Sequence, residues 1–248
     1  MPAKRTALVT GGMSGLGEAI ARRLHDVGHI VLVTHSKANG RREDWLQSQA
    51  AQGYSFHAYE ADVADFTCCE AMAAAVRRDG FRVDILVNDA GITQDATLRK
   101  MDKREWDAVL RTNLDSMFNV TKPFVESMVQ ARWGRIVNIS SISGSKGQFG
   151  QTNYAAAKAG IHGFTKSLAL ELACKGVTVN TVSPGYLDTK MVARVPKEIL
   201  EAQILPSIPV GRLGRPDEVA ALVAFVCSDD AAFMTGSNLS INGGQHMY

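Results

Sequence analysis

Apolar residues along this chain fall into short, nearly unbroken runs separated by stretches of helical spacing. Residues 6–10 (TALVT), 30–34 (IVLVT), 83–88 (VDILVN) and 177–182 (VTVNTV) are each too short for a helix. Runs of this kind suit strands of a parallel sheet that is covered on both faces. Residues 135–140 read as a further strand, 55–60 as a more polar one, and 238–241 as a terminal one. Between them, residues 18–27, 42–52, 66–78, 102–131, 153–174 and 216–227 carry a helical pattern. Pro123 is expected to kink or divide the long stretch 102–131. Gly176 is expected to end the helix 153–174, and Pro216 to occupy a first helical turn. Ser183-Pro184-Gly185 should halt the strand that starts at Val177. This alternation predicts an α/β fold, a single doubly wound parallel sheet of about seven strands flanked by helices. The whole chain, 1–248, reads as one domain. Residues 186–215 break the rhythm. They are proline-marked and irregular, with a short helical piece near 197–204, and a segment of that length is expected to act as a lid.

Composition narrows the possibilities. The 248 residues are 46% hydrophobic and 21% charged, which suits a soluble globular protein with a large core. The net charge is only +2, and no basic block exceeds pairs such as Arg22-Arg23 and Arg41-Arg42, so no nucleic-acid partner is expected. No apolar run reaches membrane-spanning length. MPAKRTALVTGG passes directly into a strand and a glycine turn, unlike a signal peptide. Cys68, Cys69, Cys174 and Cys227 lack metal-ligand spacing, and an adjacent pair makes a poor disulfide framework. A cytoplasmic protein without a metal is the expectation.

Two stretches carry candidate chemistry. The first is Thr10-Gly11-Gly12-Met13-Ser14-Gly15-Leu16-Gly17, between the first strand and the first helix. Gly11 and Gly15 permit tight turns, and Gly17 allows close helix packing. The helix N-terminus offers free amides and a positive dipole end to a pyrophosphate. The spacing G-x-x-x-G-x-G departs from the commoner G-x-G-x-x-G. A Rossmann-type dinucleotide fold is expected, with Gly11, Met13, Ser14, Gly15, Leu16 and Gly17 as cofactor contacts; the alternative is a glycine turn that merely permits packing. The second strand ends in Thr34-His35-Ser36-Lys37 without the acid that would hold a 2′-hydroxyl, and Arg41 and Arg42 follow. Guanidinium groups attract a 2′-phosphate, so NADPH is favoured over NADH. The alternative is that both arginines are simply solvated.

The second stretch is 140–158, SSISGSKGQFGQTNYAAAK. If Tyr154 starts a helix, Lys158 lies one turn on, on the same face. A phenol titrates near pH ~10, and an ammonium held close lowers that value. Ser141, at a strand end, can hydrogen-bond a carbonyl oxygen. Together these three are a carbonyl polariser, an acid and its tuner. Taken alone, a Tyr-x-x-x-Lys pair also arises often by accident.

The chain resembles the short-chain dehydrogenase/reductase family along its whole length. The matching elements are TGGMSGLG at 10–17, Asp62-Val63, NDAG at 88–91, Asn113, Ser141, YAAAK at 154–158 and PGYLDT at 184–189. The resemblance implies that Tyr154 is the acid, that Lys158 lowers its pKa and binds the nicotinamide ribose, and that Ser141 polarises the carbonyl. Asn113 would order a water. Asp62 and Val63 would contact adenine, while Asp89, Ala90, Gly91 and Ile92 would pass under the cofactor. Pro184, Gly185, Tyr186, Leu187 and Thr189 would hold its nicotinamide end. Asp89 departs from the family's second asparagine, and a carboxylate there should weaken an anionic cofactor slightly unless a donor satisfies it.

Several stretches are similar to a narrower group, the acetoacetyl-CoA reductases of polyhydroxybutyrate synthesis. They include residues 92–122, 134–160 (with GQFGQTNY at 147–154), 175–186 and the ending NGGQHMY. That likeness implies NADPH-dependent reduction of acetoacetyl-CoA to (R)-3-hydroxybutanoyl-CoA by a homotetramer. Asp95, Ser141, Gln148, Phe149, Gly150, Gln151, Gly185 and Tyr186 would line the acyl pocket. Lys100, Lys190 and Arg194 are candidates to meet the CoA phosphates. Two other readings are an acyl-carrier-protein-linked 3-oxoacyl reductase and a non-catalytic dinucleotide-binding regulator.

Overall fold

Seven strands form one parallel sheet in the order β3-β2-β1-β4-β5-β6-β7. They are β1 (Thr6–Val9), β2 (Ile30–His35), β3 (Phe56–Glu60), β4 (Ile85–Asn88), β5 (Gly134–Ile139), β6 (Val177–Pro184) and β7 (Asn238–Ile241). This computed structural model describes residues 4–37, 40–189 and 192–247. The helices are α1 (Gly15–Asp26), α2 (Arg42–Ala50), α3 (Phe66–Arg78), α4 (Lys103–Leu110), α5 (Ser116–Ala131), α6 (Ile142–Lys146), α7 (Thr152–Leu172), α8 (Lys197–Ile199) and α9 (Pro216–Val226). The chain winds outward from β1 to β3, then returns to place β4 on the other side of β1. That reversal opens a crevice at the carboxyl ends of β1 and β4, where doubly wound sheets bind ligands.

Strand alternation divides the core between the two faces. Ala7, Val9, Val31, Val33, Ile85 and Val87 pack under Ile20 and Leu24 of α1 and Val219 and Val223 of α9. Leu8, Leu32, Leu86 and Ile136 pack under Met72 and Val76 of α3 and Val120, Phe124 and Met128 of α5. Both faces are covered, so the strands read as continuous apolar runs.

A line of buried polar side chains crosses this apolar interior. Asn88 Nδ2 donates to Thr121 Oγ1 at 3.1 Å and to Asn138 Oδ1 at 2.9 Å. Asn138 Nδ2 donates to Thr165 Oγ1 at 2.9 Å, which also accepts from Thr181 Oγ1 at 2.8 Å. All five are buried. The line ties β4, β5 and β6 to α5 and α7, and sets the depth of α7 over the sheet.

Three expectations change. Pro123 does not divide its helix; α5 runs through it, held to the sheet on both sides by Val120 and Phe124. The long stretch is interrupted earlier, by a π-helical turn at Arg111–Asp115. β6 is not halted by Ser183 and Pro184, which pair with Ser240 and Ile241. The next amide, that of Gly185, makes the bond to Ile241 O at 3.0 Å, so the ladder continues past the proline. Within 186–215 the helical piece is α8 followed by a π turn at Leu200–Ile204 and a 3-10 turn at Leu205–Ser207. The segment is pinned where it leaves and returns: Gly214 N donates to Tyr186 O at 2.9 Å, and Asp188 N to Gly214 O at 2.8 Å.

Asn138→Ala removes the centre of the polar line, leaving Asn88 and Thr165 each short of a partner. A loss of about 2 kcal/mol is expected, because unpaired buried polar groups keep their desolvation cost. It should be read as a lower denaturation midpoint in guanidinium with an unchanged slope.

Candidate active site

Tyr154 and Lys158 lie one turn apart on α7, as their spacing predicts. Lys158 is only 3% exposed, and its Nζ donates to the Ile139 carbonyl at 2.8 Å. The same Nζ sits 5.6 Å from the centre of the Tyr154 ring. Ser140 Oγ donates to the Lys158 carbonyl at 2.8 Å, so the end of β5 holds the lysine from two directions. Beyond β5 the chain makes the short α6, which the sequence pattern does not announce. Ser141 is its N-cap, in extended conformation, and its Oγ accepts from Ser143 N at 3.2 Å. A Cβ at Gly144 would lie 2.7 Å from the Lys158 carbonyl carbon, so only glycine lets α6 lie this close to α7. The Ser141 hydroxyl is thereby brought near that of Tyr154 and favours its ionised form.

The charges around this cluster differ from expectation. Tyr154 is not held low by Lys158. Burial pushes its phenol up to about 12, the Ser141 hydroxyl lowers it, and the carboxylates of Asp89 and Asp95 raise it further. Removing a phenolate from water outweighs a single neighbouring hydroxyl. Lys158 is driven down by burial and held up by Asp89. Asp89 is driven up by burial, against Lys158 and the Gly17 backbone amide.

Asn113 lies in the π turn, fully buried, at the edge of the crevice. Its Oδ1 accepts from Ile92 N and its Nδ2 donates to Ile92 O, both at 2.8 Å. The side chain therefore clamps the turn after β4. That turn is also fastened to β1: Thr10 Oγ1 accepts from the amides of Asp89 at 2.9 Å and Ala90 at 3.0 Å.

The glycine turn follows β1 and leads into α1. Gly11 and Gly15 have φ of 66° and 54°, the left-handed region that favours glycine. A Cβ at Gly17 would lie 2.6 Å from Gly11 O and 2.7 Å from Asp89 Oδ2. The close approach at Gly17 is therefore to the turn and to Asp89, rather than to the sheet. Met13 is buried against the core, and Ser14 caps α1 by position without a side-chain bond. Val63 is buried, while Asp62 Oδ1 accepts from Ala64 N at 3.0 Å. Arg41 is exposed at the start of α2, and Lys37 is exposed beyond β2.

The rim opposite is a hydrogen-bonded chain. Gln151 Nε2 donates to Asp95 Oδ2 at 2.9 Å, and Ser143 Oγ donates to Gln151 Oε1 at 3.2 Å. Ala96 N donates to Gly150 O at 2.9 Å, joining the two rim segments. Gln151 is thus engaged at both ends of its amide, whereas Phe149 stands 88% exposed beside it. Tyr186 is raised by burial and by Asp95, and lines a cavity of about 200 Å³ with Leu187, Ile208, Val210 and Asn242. Gly185 packs so tightly on Asn242 that a Cβ would meet its Cα at 2.9 Å. Thr189 is half-buried at the end of this stretch, and Lys100 is exposed on the 97–101 turn. Lys190 and the side chain of Arg194 lie outside the described residues.

The structure adds residues that sequence reasoning did not single out. Thr10 stands in the glycine motif, yet its role as the anchor of Asp89 and Ala90 depends on residues far along the chain. Ser143 and Gly144 carry no signal beyond a polar loop composition. Thr34 Oγ1, which accepts from Gly11 N at 3.2 Å, reads as an ordinary strand residue.

Comparison with known proteins agrees with this geometry. A family model described as enoyl-(acyl carrier protein) reductase matches residues 11–246. Acetoacetyl-CoA reductase of Cupriavidus necator is 51% identical over 244 residues, 98% of this chain and 99% of the relative. Nodulation protein G of Azospirillum brasilense is 52% identical over 241 residues, 97% of this chain and 98% of its own length. A 3-oxoacyl-(acyl-carrier-protein) reductase of Pseudomonas aeruginosa is 42% identical over 248 residues, 98% of each chain. With a parallel sheet ordered 3-2-1-4-5-6-7 and Ser141, Tyr154 and Lys158 gathered at its carboxyl edge, the chain belongs to the short-chain dehydrogenase/reductase family.

Proposed function

We propose that this chain is an acetoacetyl-CoA reductase, reducing the C3 carbonyl of acetoacetyl-CoA to (R)-3-hydroxybutanoyl-CoA. The observation that carries the reading is the Ser141–Tyr154 hydroxyl pair beside a buried Lys158. The substrate assignment is supported by relatives of that name in Cupriavidus necator at 51% identity and Rhizobium meliloti at 49%.

The residues fit a nicotinamide dinucleotide. The glycine-rich turn and the amides at the start of α1 would form a cradle for a pyrophosphate. Lys158 Nζ has donors to spare beyond its bond to Ile139 O, and would hold the ribose hydroxyls. Gly11, Met13, Ser14, Gly15, Leu16 and Gly17 would line the cradle, Asp62 and Val63 the adenine side, and Ala90 to Ile92 its floor. Pro184 to Leu187 and Thr189 would hold the nicotinamide end, with segment 186–215 closing over it. The lack of an acid at His35-Ser36-Lys37, with Arg41 exposed nearby, favours NADPH. The bound cofactor supplies the hydride.

In reduction, Tyr154 would give its hydroxyl proton to the C3 oxygen as charge develops there. Ser141 Oγ would donate to the same oxygen, a preorganised donor aimed at the developing anion. The raised phenol pKa keeps that proton in place at neutral pH, which suits an acid. Phe149 would give the acyl and pantetheine chain an apolar wall. Gln148 would meet the thioester carbonyl, and Gln151 would act through Asp95 and Ser143 by holding α6 and Ser141 in position. Phe118 on α5, Leu170 on α7 and Phe233 before β7 are exposed apolar residues that a homotetramer would cover. The product would feed polyhydroxybutyrate synthesis in the cytoplasm.

Initial rates of NADPH oxidation test the substrate. Acetoacetyl-CoA should be strongly preferred to the same acyl group on carrier protein; the reverse preference moves the chain to fatty-acid synthesis, the activity that the name of the Pseudomonas aeruginosa relative describes. Tyr154→Phe should lower kcat by about a hundredfold or more while cofactor affinity stays within about twofold. Because a group with a raised pKa stays protonated until that pKa is reached, Tyr154 should cause no fall in wild-type kcat for reduction below about pH 9, and any fall there should track Lys158, which burial drives down. Phe149→Ala should raise KM for acetoacetyl-CoA about tenfold and leave kcat nearly unchanged, the signature of lost apolar burial.

A further inference from the structure

Asp89 places a carboxylate on the floor of the crevice, between the glycine turn and the catalytic lysine. It follows β4, and its backbone amide is anchored by Thr10 Oγ1. One carboxylate oxygen, Oδ2, comes within 2.7 Å of the Cβ position at Gly17. The Gly17 N–H, one of the free amides of the first turn of α1, lies beside it and favours its charged form. The chain thus carries its own anion at the helix N-terminus that would receive a pyrophosphate. An asparagine could take the same place through its amide oxygen, so the geometry does not need the charge.

The titratable groups whose charge couples to Asp89 are Lys158 and Tyr154, both on α7. The turn after β1 contributes the neutral Thr10 hydroxyl, and α1 the Gly17 amide. Lys158 draws Asp89 toward the charged form, and Asp89 in turn keeps Lys158 protonated. When a dinucleotide fills the crevice it brings two further negative charges and removes water. Both changes disfavour a carboxylate.

We infer that Asp89 is a positioning residue that exchanges its charge for a proton when the cofactor binds, so that dinucleotide binding takes up a proton from solvent and weakens as pH rises. The inference rests on the dinucleotide reading of the crevice. In the free protein, desolvation already pushes the Asp89 carboxyl up toward this exchange. Bound phosphate raises its pKa, so affinity is full at low pH and falls as pH climbs through the free-protein value. It levels off again above the bound one. By reciprocity the same coupling sets both the proton count and the pH slope of affinity.

Isothermal titration of NADPH into the whole protein tests this, with each pH run in two buffers of different ionisation enthalpy to count protons. At about pH 7.5 the wild type should take up at least about 0.3 proton more than Asp89→Asn. The ratio of Asn-variant to wild-type affinity should widen at least about threefold between about pH 6.5 and 8.5. Equal proton counts in the two proteins would overturn the inference; the 2′-phosphate is common to both. No uptake by the wild type alone overturns it whether or not the variant folds. If neither protein binds NADPH or NADH at any pH, the dinucleotide reading itself fails, and this inference with it.

Discussion

A buried ammonium must be satisfied or it is expelled, and the active end of this molecule is arranged around that demand. Lys158 lies beneath α7, with its Nζ on the Ile139 carbonyl at the last residue of β5. Ser140 returns the bond to the lysine backbone, and the glycine at 144 lets α6 close on it. Once Lys158 is docked, α7 cannot slide along the sheet. Tyr154, one turn away, then faces the hydroxyl of Ser141, which the start of α6 fixes in turn. Lys158 is thus a structural pin as well as a chemical group.

The polar line from Asn88 to Thr181 serves the same end further down α7. Apolar packing on both faces of the sheet is non-directional and tolerates small shifts. Hydrogen bonds between Asn88, Asn138, Thr165 and Thr181 do not, because a displaced donor in this interior is left without water. Core volume gives the fold its stability, and the polar line gives α7 its register.

Electrostatics in the crevice reflect a balance between burial and a few charges. Burial alone would keep Tyr154 and Asp89 protonated and Lys158 neutral. The mutual attraction of Asp89 and Lys158 opposes it, and the Ser141 hydroxyl opposes it at Tyr154. A balance of this kind is sensitive to any anion that enters, which couples the floor of the crevice to what it holds.

Much of this was legible along the chain. The strands, the glycine turn and the Tyr154–Lys158 spacing are local, since period and turn chemistry depend on neighbours a few residues away. The family motifs extended that reading to Ser141 and Asn113. Other features depended on residues distant in sequence, and only the tertiary structure decided them. Pro123 remains within a helix because the sheet beneath Val120 and Phe124 holds it there. Gln151 is joined to Asp95, 56 residues away. Tyr154 is raised instead of lowered because desolvation is a property of the packed interior, and no spacing encodes it. Asp89 meets Gly17 only because β1 and β4, separated in the chain by two other strands, lie side by side in the sheet.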